Sequence, residues 1–517
     1  MESERRDSIL GPGRRRLTAG MVLVVSFIAF EAIAVSTVLP VVVRHLGGIR
    51  LYGWAFSAFM LAQLVGIVVA GPLVDRIGML RPTLVAVGLF CVGLVIDGAA
   101  PSMVVLVVGR VVQGAGAGVL VVALNVLVGR GFPPALRPRA YAAMSTAWVI
   151  PGVVGPAVAG LVAEEISWRV VFLAIIPATI AAAAIALPAI ARADAAPSEV
   201  APAEVGPAET APSEVGPGGP VTAGEQREGG RPAGVGVAVA LAGGTALVIE
   251  ALGARRAVLS PILAVVGLGL VVPALGVVIP RRATARAGRL ARSGRQPDGR
   301  QPDGRQLGTM WVAALVNLAF FSAEAFLPLS LTSLHHRSVT EAGVVLTVAA
   351  LTWTAGSWVQ ARYVGRVGPR RLCAVGLGLV AVGIGGVVTL DWASTPWWVG
   401  FVAWGVAGAG MGLSYATTTL VVLSSAGAGR QGGPIAAMQV LVTLGVAFGA
   451  GVGGAALALS LALGDGRAPG LRALDAGAVV AALVGLGLTV TIPRVVPSGA
   501  ATDGQESAGG HMLETAP

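Results

Sequence analysis

Gly71-Pro72-Leu73-Val74-Asp75-Arg76-Ile77-Gly78-Met79-Leu80-Arg81 is a short charged hairpin wedged between two long apolar runs. The rest of the chain repeats that design, with apolar runs of membrane length joined by brief segments that carry the charge. A chain of 517 residues would ordinarily divide into several soluble domains. Its composition excludes that division: 55% of residues are hydrophobic, only 12% are charged and the mean hydropathy is +0.81, whereas soluble domains carry about twice that charge fraction. The expected fold class is an all-α polytopic membrane protein.

The net charge of +10 comes from arginine alone, since the chain has no lysine. The arginines lie in short loops and tails between apolar runs, the pattern of membrane orientation rather than of nucleic-acid binding. Cys91 and Cys373 lie far apart in separate apolar runs and read as packing residues, with neither metal-ligand nor disulfide-framework spacing. The first run, from Met21, exceeds twenty residues and lacks a clear small-x-small cleavage site, so it reads as a retained helix.

Runs long enough to cross ~30 Å of hydrocarbon begin near Met21, Leu51, Thr83, Met103, Ala140 and Ser167. Two more fall between Ala233 and Pro280, split at Gly253-Ala254-Arg255-Arg256, and six further runs begin near Met310, Glu341, Leu372, Pro396, Gly433 and Leu471. About fourteen helices are therefore expected, as two six-helix bundles plus two extra central helices. Arg76 and Arg81, Arg130 to Arg139, Arg281 to Arg292 and Arg362 to Arg371 fall on one side if both termini are cytoplasmic; Arg255 and Arg256 break the pattern. The expected division is a cytoplasmic segment 1–20, a first bundle 21–191, a disordered linker 192–232, the extra pair 233–280, a basic linker 281–308, a second bundle 309–494 and a disordered tail 495–517. Both linkers are low in complexity, with near-repeats of Pro-Ser-Glu-Val and of Gly-Arg-Gln-Pro-Asp, and neither can bury a core. Gly365-Arg366-Val367-Gly368 stands after the second run of the second bundle, where Asp75-Arg76-Ile77-Gly78 stands in the first, so the bundles read as repeats. Paired halves with a cavity between them suit a carrier that exposes one site to each side in turn.

The opening hairpin resembles the loop signature of the major facilitator superfamily, G-x-L-x-D-R-x-G-R-K. Gly71, Leu73, Asp75, Arg76 and Gly78 match, Met79 and Leu80 replace the central basic pair, and Arg81 keeps one basic residue. The segment from Glu31 to Pro40 is similar to the first-helix motif of the fourteen-helix drug/proton antiporters, with Glu31 in place of its aspartate and Ser36 in place of its asparagine. Gly109-Arg110-Val111-Val112-Gln113-Gly114 resembles the fourth-helix motif R-x-x-Q-G. Pro151 to Gly160 resembles the fifth-helix antiporter motif: Gly155, Pro156 and Gly160 match, Ala159 replaces a glycine and Gly152 is one place off the spacing. The resemblance implies a secondary transporter that couples export to proton entry, with Arg110 linked to proton transfer and Asp75 holding one conformational state by accepting donors from the other half.

The residues point the same way. A carboxylate or guanidinium in mid-span costs ~2.5–3.5 kcal/mol and is a functional candidate by default. Glu31 and Arg110 are such residues and are expected to pair. Glu324, between Phe320-Phe321 and Phe326, holds a repeat-equivalent place to Glu31 and is a candidate for substrate or coupling. Asp97 is expected near an outer helix end within reach of water, and Glu250 lies in the central pair. A phosphate loop is impossible without lysine, which excludes ATP-driven transport by this chain alone; His335 and His336 form no metal-ligand set. The expected function is proton-coupled export of small lipophilic or cationic compounds from the plasma membrane by a monomer. Its partners would be substrate, protons and the bilayer, without nucleic acid, cofactor, metal or enzymatic activity. A dedicated exporter of an endogenous metabolite or lipid, and a non-transporting membrane sensor, are the alternatives.

Overall fold

The computed structural model describes residues 14–133, 136–195, 234–253, 259–278, 304–425 and 432–495, with Ile9 and Gly11 beside them. The described residues are helical, joined by short turns. The first half comprises α1 (Arg15–Leu46), α2 (Tyr52–Ile77), α3 (Leu80–Ala99), α4 (Met103–Gly131), α5 (Arg137–Thr146), α6 (Val149–Val162) and α7 (Trp168–Ala195). A central pair follows, α8 (Val235–Gly253) and α9 (Leu259–Val278). The second half comprises α10 (Gly304–Ser333), α11 (Val339–Val367), α12 (Pro369–Leu390), α13 (Val399–Ser425), α14 (Gly432–Leu463) and α15 (Ala468–Leu488). In hydrocarbon every backbone polar group must be satisfied within its own segment, which is why runs of this composition form helices. Residues 196–233, 254–258, 279–303 and 496–517, which include most of both linkers, Arg255 and Arg256, Arg281 to Arg292 and nearly all of the tail, lie outside the described residues, whereas the linker ends 192–195 and 304–308 are helical.

Among the described residues thirteen helices are long and apolar enough to cross a membrane, one fewer than the sequence reading expects. The difference lies at Val149–Arg192, where two expected runs join through Ala163–Ser167, one wide turn of π-helix, with no break in helical structure. The limbs on either side nevertheless run in opposite directions. Ser26 of α1 bonds the Ala147 carbonyl, just ahead of α6, and Gly155 farther along α6 packs on Phe30 and Ile33 of α1. Arg169, at the start of α7, reaches Ala100 at the end of α3, whereas Ala186 lies against Gly20 of α1. The expected helix starts near Met21 and Met310 fall later than the observed starts at Arg15 and Gly304, because the polar turns flanking those apolar runs continue the helix.

The halves are built alike. In the first, α4 packs between α2 and α3 while α7 packs on α1 and α3; in the second, α13 packs between α11 and α12 while α15 packs on α10 and α12. Both halves turn a corner on a left-handed glycine, Gly78 at φ +80° and Gly368 at φ +86°, a conformation that a side chain would strain. The halves meet through α2 on α14 and α6 on α11. Helix α8 lies against both α2 and α14 and so covers that seam, with α9 outside it, only 11% buried over its most apolar stretch.

The hydrogen bonds that join the halves among the described residues gather toward one end of the bundle. The Tyr52 hydroxyl donates to the Ala325 carbonyl at 3.0 Å, Ser57 to Ala447 at 2.7 Å and Thr347 to Val153 at 3.1 Å. Glu164 accepts from the Val339 amide and from the Thr340 hydroxyl at 2.6 Å, sealing the first turn of α11. Gly53 and Gly454 bring α2 and α14 into backbone contact: a Cβ on Gly53 would stand 2.8 Å from the Gly454 Cα. The opposite end, at Ile77, Arg76, Arg362 and Arg366, is exposed. It is also the end where α1 starts beside Gly131 and where Thr491 lies beside Gly308.

Asp391, in the turn after α12, accepts from Ser330 at 3.0 Å and lies buried near Asp475 of α15. Burial pushes its carboxyl up to about 7, against the Ser330 hydrogen bond and the Arg472 charge, which pull downward. A folded value above the unfolded one means stability that is present in acid and lost as pH rises through 7. The stability of the purified protein, read as its melting temperature, should therefore fall by on the order of a few kcal/mol between about pH 4 and about pH 7. Asp391→Asn should flatten that slope; an unchanged slope in the variant would remove Asp391 as its source.

Candidate functional site

An arginine buried within a spanning helix must find acceptors, and Arg110 of α4 finds three. Its Nη1 donates to Glu31 Oε1 of α1 in a buried ion pair and to Gln113 Oε1 at 2.5 Å. Its Nε donates to the Ala55 carbonyl of α2 at 3.0 Å. The guanidinium also stacks on the Phe59 ring, 4.2 Å from the centroid, where the negative ring face adds to its stabilisation. Glu31 and Gln113 have no exposed surface and Arg110 is 2% exposed. Glu31, Arg110 and Gln113 thus come together as one centre tying α1, α2 and α4, the pairing of Glu31 with Arg110 included. Arg110 and Gln113 stand three apart on one helix face, so the R-x-x-Q spacing lets the amide oxygen accept from the same guanidinium nitrogen as Glu31.

The centre is rich in acceptors. Glu31 Oε2 and both oxygens of Asp97 are buried without a hydrogen-bond partner among the described residues. Asp97 is fully buried, so the expected access to water at the end of α3 does not hold. The reason is local packing. Gly93 and Gly109 let α3 and α4 approach until the Asp97 carboxyl lies on the backbone of Gly109, where a Cβ would stand 2.9 Å from its Cγ. As an acid within an apolar run, Asp97 carries the same sequence signal as Glu31, and its place near the helix end does not expose it.

Glu324 stands apart from this centre, half-buried on α10 in the second half and without a hydrogen bond or ion pair among the described residues. One turn earlier an aromatic cluster begins. Phe320 stacks on Trp404 with centroids 4.6 Å apart and meets Phe321 and Trp353 edge-on at 5.5 and 5.6 Å; Tyr415 meets Trp353 at 6.3 Å. Trp353, Trp404 and Tyr415 come from α11 and α13, and no local sequence pattern links them to α10.

The fifth-helix motif divides its work. Gly152, Pro156 and Gly160, spaced by four, face α11 of the other half at Ala350, Gly343 and Thr340, while Gly155 faces Phe30 and Ile33 of α1. Small residues at this spacing permit close helix approach. In the opening hairpin, Gly78 makes the turn, Arg76 and Arg81 are exposed, and no neighbour lies where a Gly71 side chain would stand. The side chain of Asp75 lies outside the described residues. Asp194, at the end of α7, accepts from the Met79 and Leu80 amides at 2.6 and 2.9 Å and caps α3, a favourable place for an anion. It is 115 residues from its partner, and nothing local announces it.

Two similar helical halves that meet toward one end, the first with a buried charge centre inside it, have the architecture of a membrane carrier. The chain matches the Major Facilitator Superfamily over residues 21–224 and 228–450 and belongs to that family. It is 32% identical over 174 residues to an uncharacterised MFS-type transporter of Mycobacterium tuberculosis, covering 34% of this chain and 25% of that one. It is 31% identical over 136 residues to a probable multidrug-efflux transporter of the same species, covering 26% and 29%. Over 167 residues it is 25% identical to the multidrug transporter protein MdtP of Bacillus subtilis, covering 32% and 31%. The chain thus spans about a quarter to a third of the length of these relatives, which are transporters rather than enzymes. Among solved structures, an auto-inhibited POT family peptide transporter aligns with 92% of this chain and 98% of its own, at a TM-score of 0.64 and 15% identity. A bacterial homologue of the human lysosomal transporter Spinster, inward-facing and unoccupied, aligns with 93% and 98%, at 0.59 and 15%. These two likenesses are of fold.

Removing the cation would leave buried carboxyls uncompensated. Arg110→Leu should cost about 3 kcal/mol or more at alkaline pH, read as a lowered melting temperature. The loss should shrink in acid, where the carboxyls take up protons. A pH-independent loss would mean that the side chain acts by packing alone.

Proposed function

We propose that this protein exports small lipophilic or cationic compounds in exchange for protons by alternating access. The observation that carries the reading is the buried Glu31–Arg110–Gln113 centre in a fold whose halves, among the described residues, are joined by hydrogen bonds gathered toward one end. A buried carboxyl paired with arginine can exist in two states, ionised and paired or protonated and released, and the pair is shared between helices of one moving half. Glu324 beside the aromatic cluster of the other half supports the substrate class, since aromatic faces with a carboxylate suit an apolar cation. Two relatives carry multidrug names, which supports the same class.

In this reading the chain is of the fourteen-helix antiporter type, with Val149–Arg192 crossing twice, and acts as a monomer in the plasma membrane with cytoplasmic termini. The open end with its exposed arginines then faces the cytoplasm. The two bundles, the central pair and the linkers follow in the order expected from the sequence, with the bundle helices reaching back to Arg15 and Gly304 and on to Ala195, and Asp75 and Arg76 serve as the gate of the cytoplasmic end. One proton moving down 100 mV supplies ~2.3 kcal/mol, enough for a gradient of roughly fifty-fold. A second reading, a dedicated exporter of an endogenous metabolite, draws on the relative named as the MFS-type transporter of the acurin A biosynthesis cluster of Aspergillus aculeatus, 33% identical over 151 residues.

Dye efflux measured in energised inverted vesicles tests the proposal. Wild-type transport should stop with a protonophore, Glu31→Gln should fall to the level of vesicles lacking the protein, and Glu324→Gln should lose cationic dyes more than neutral ones. Protonophore-sensitive transport that survives Glu31→Gln would place coupling elsewhere. A wild type that moves no lipophilic or cationic dye would favour the dedicated exporter.

A further inference from the structure

Three charges share the interior of the first half: two carboxyls, Glu31 and Asp97, and one guanidinium, Arg110. The Asp97 carboxyl lies against Gly109, the residue before Arg110 on α4. With all three ionised the interior would hold a net negative charge, and an uncompensated buried charge is strongly unfavourable. One proton on the trio makes it neutral. In this structure the guanidinium bonds Glu31, whereas neither oxygen of Asp97 has a partner among the described residues. The geometry therefore puts the ionised carboxylate at Glu31 and the proton at Asp97.

We propose that Asp97 is a second proton-binding residue of this centre, and that Arg110 exchanges between the two carboxyls as the proton passes between them. The two states balance: ionised Glu31, Arg110 and protonated Asp97 on one side; protonated Glu31, Arg110 and ionised Asp97 on the other. Each carries no net charge, and one proton moves from Asp97 to Glu31 or back. Gly109 makes the exchange possible, because its missing side chain leaves the Asp97 carboxyl beside the Arg110 turn of α4. The positions also differ along the bundle. Asp97 is two residues from the end of α3 at the closed face, beside Ala100 and Arg169, whereas Glu31 sits at mid-length on α1.

The groups near Asp97 are few. Helix α4 contributes Arg110 and Gln113, and α1 contributes Glu31. The nearest charge on α7 is Arg169, which donates to the Ala100 carbonyl at 2.9 Å and stacks on Trp168 at 4.3 Å. Helix α2 offers its first-turn Tyr52, whose hydroxyl is bonded to Ala325.

The inference rests on the proton-coupled reading above, but its test reads folding alone. Melting temperatures of the purified protein at alkaline pH are compared for wild type, Glu31→Gln, Asp97→Asn, the double variant, and the double variant with Arg110→Gln added. If the guanidinium can pair with either carboxyl, each single neutralisation should shift the midpoint by no more than about 2 °C. The double should fall by about 6 °C or more, because the cation is then buried alone. Adding Arg110→Gln should recover most of that loss. A double variant equal to the sum of the singles, or Glu31→Gln alone as damaging as the double, would overturn the exchange. Should the double variant not fold, recovery on adding Arg110→Gln still decides: no recovery refutes it. The required non-additivity alongside efflux insensitive to protonophore would sink the antiport reading and leave Asp97 as Arg110's second partner.

Discussion

Burial of Arg110 is the constraint on which the first half depends. A guanidinium cannot be buried in a spanning bundle without acceptors, and its partners come from α1, α2 and its own helix. That requirement sets how closely α4 must approach α2 and α3, and the small residues of the α3–α4 contact permit the approach. The same burial leaves acceptors in excess. A structural ion pair would be complete with one carboxylate; here a second carboxyl lies without a partner against the next turn. Surplus buried acid is a poor way to stabilise a bundle and a suitable way to hold a proton.

The contact between halves depends on different physics. Lipid gives no hydrophobic drive for helices to associate, so the halves adhere through backbone approach at Gly53, Gly454 and Gly160, through Ala350 seated on Gly152, and through a few bonds such as Glu164 to the start of α11. These contacts are local and lie toward one end. An interface of small, shallow contacts can be exchanged for another at the opposite end without unpacking either half, and the repeated construction of the halves supplies the matching surfaces. Helix α8, against both α2 and α14, bridges the seam from outside.

Much of this was legible in the sequence, and the reasons are physical. Runs of membrane length dictate helices, and the paired hairpins at Gly78 and Gly368 revealed the repeat. The misses share a cause: each depends on contacts distant in the chain. The wide turn at Ala163–Ser167 joins two runs that hydropathy separates at Glu164 and Glu165. Asp97 looked accessible because its position along α3 was known, whereas its seat against Gly109 was not. Asp194, Trp353, Trp404 and Tyr415 meet their partners only after the bundle assembles. Glu31 and Arg110 were readable because charge within an apolar run is rare whatever the fold around it, and Gln113 was readable through the resemblance to the R-x-x-Q-G motif.

The central claim is that the protonation state of the Glu31–Arg110 centre selects which end of the bundle is open. Spin labels at Ile77→Cys and Val367→Cys, exposed and repeat-equivalent at the open end, can be placed in a protein with Cys91 and Cys373 replaced, and their separation measured in acidic and alkaline buffer. The account predicts a long and a short separation whose proportions shift with pH in the wild-type background, and a single pH-independent distribution in Glu31→Gln. An identical pH-dependent shift in both proteins, or no shift in either, would contradict it.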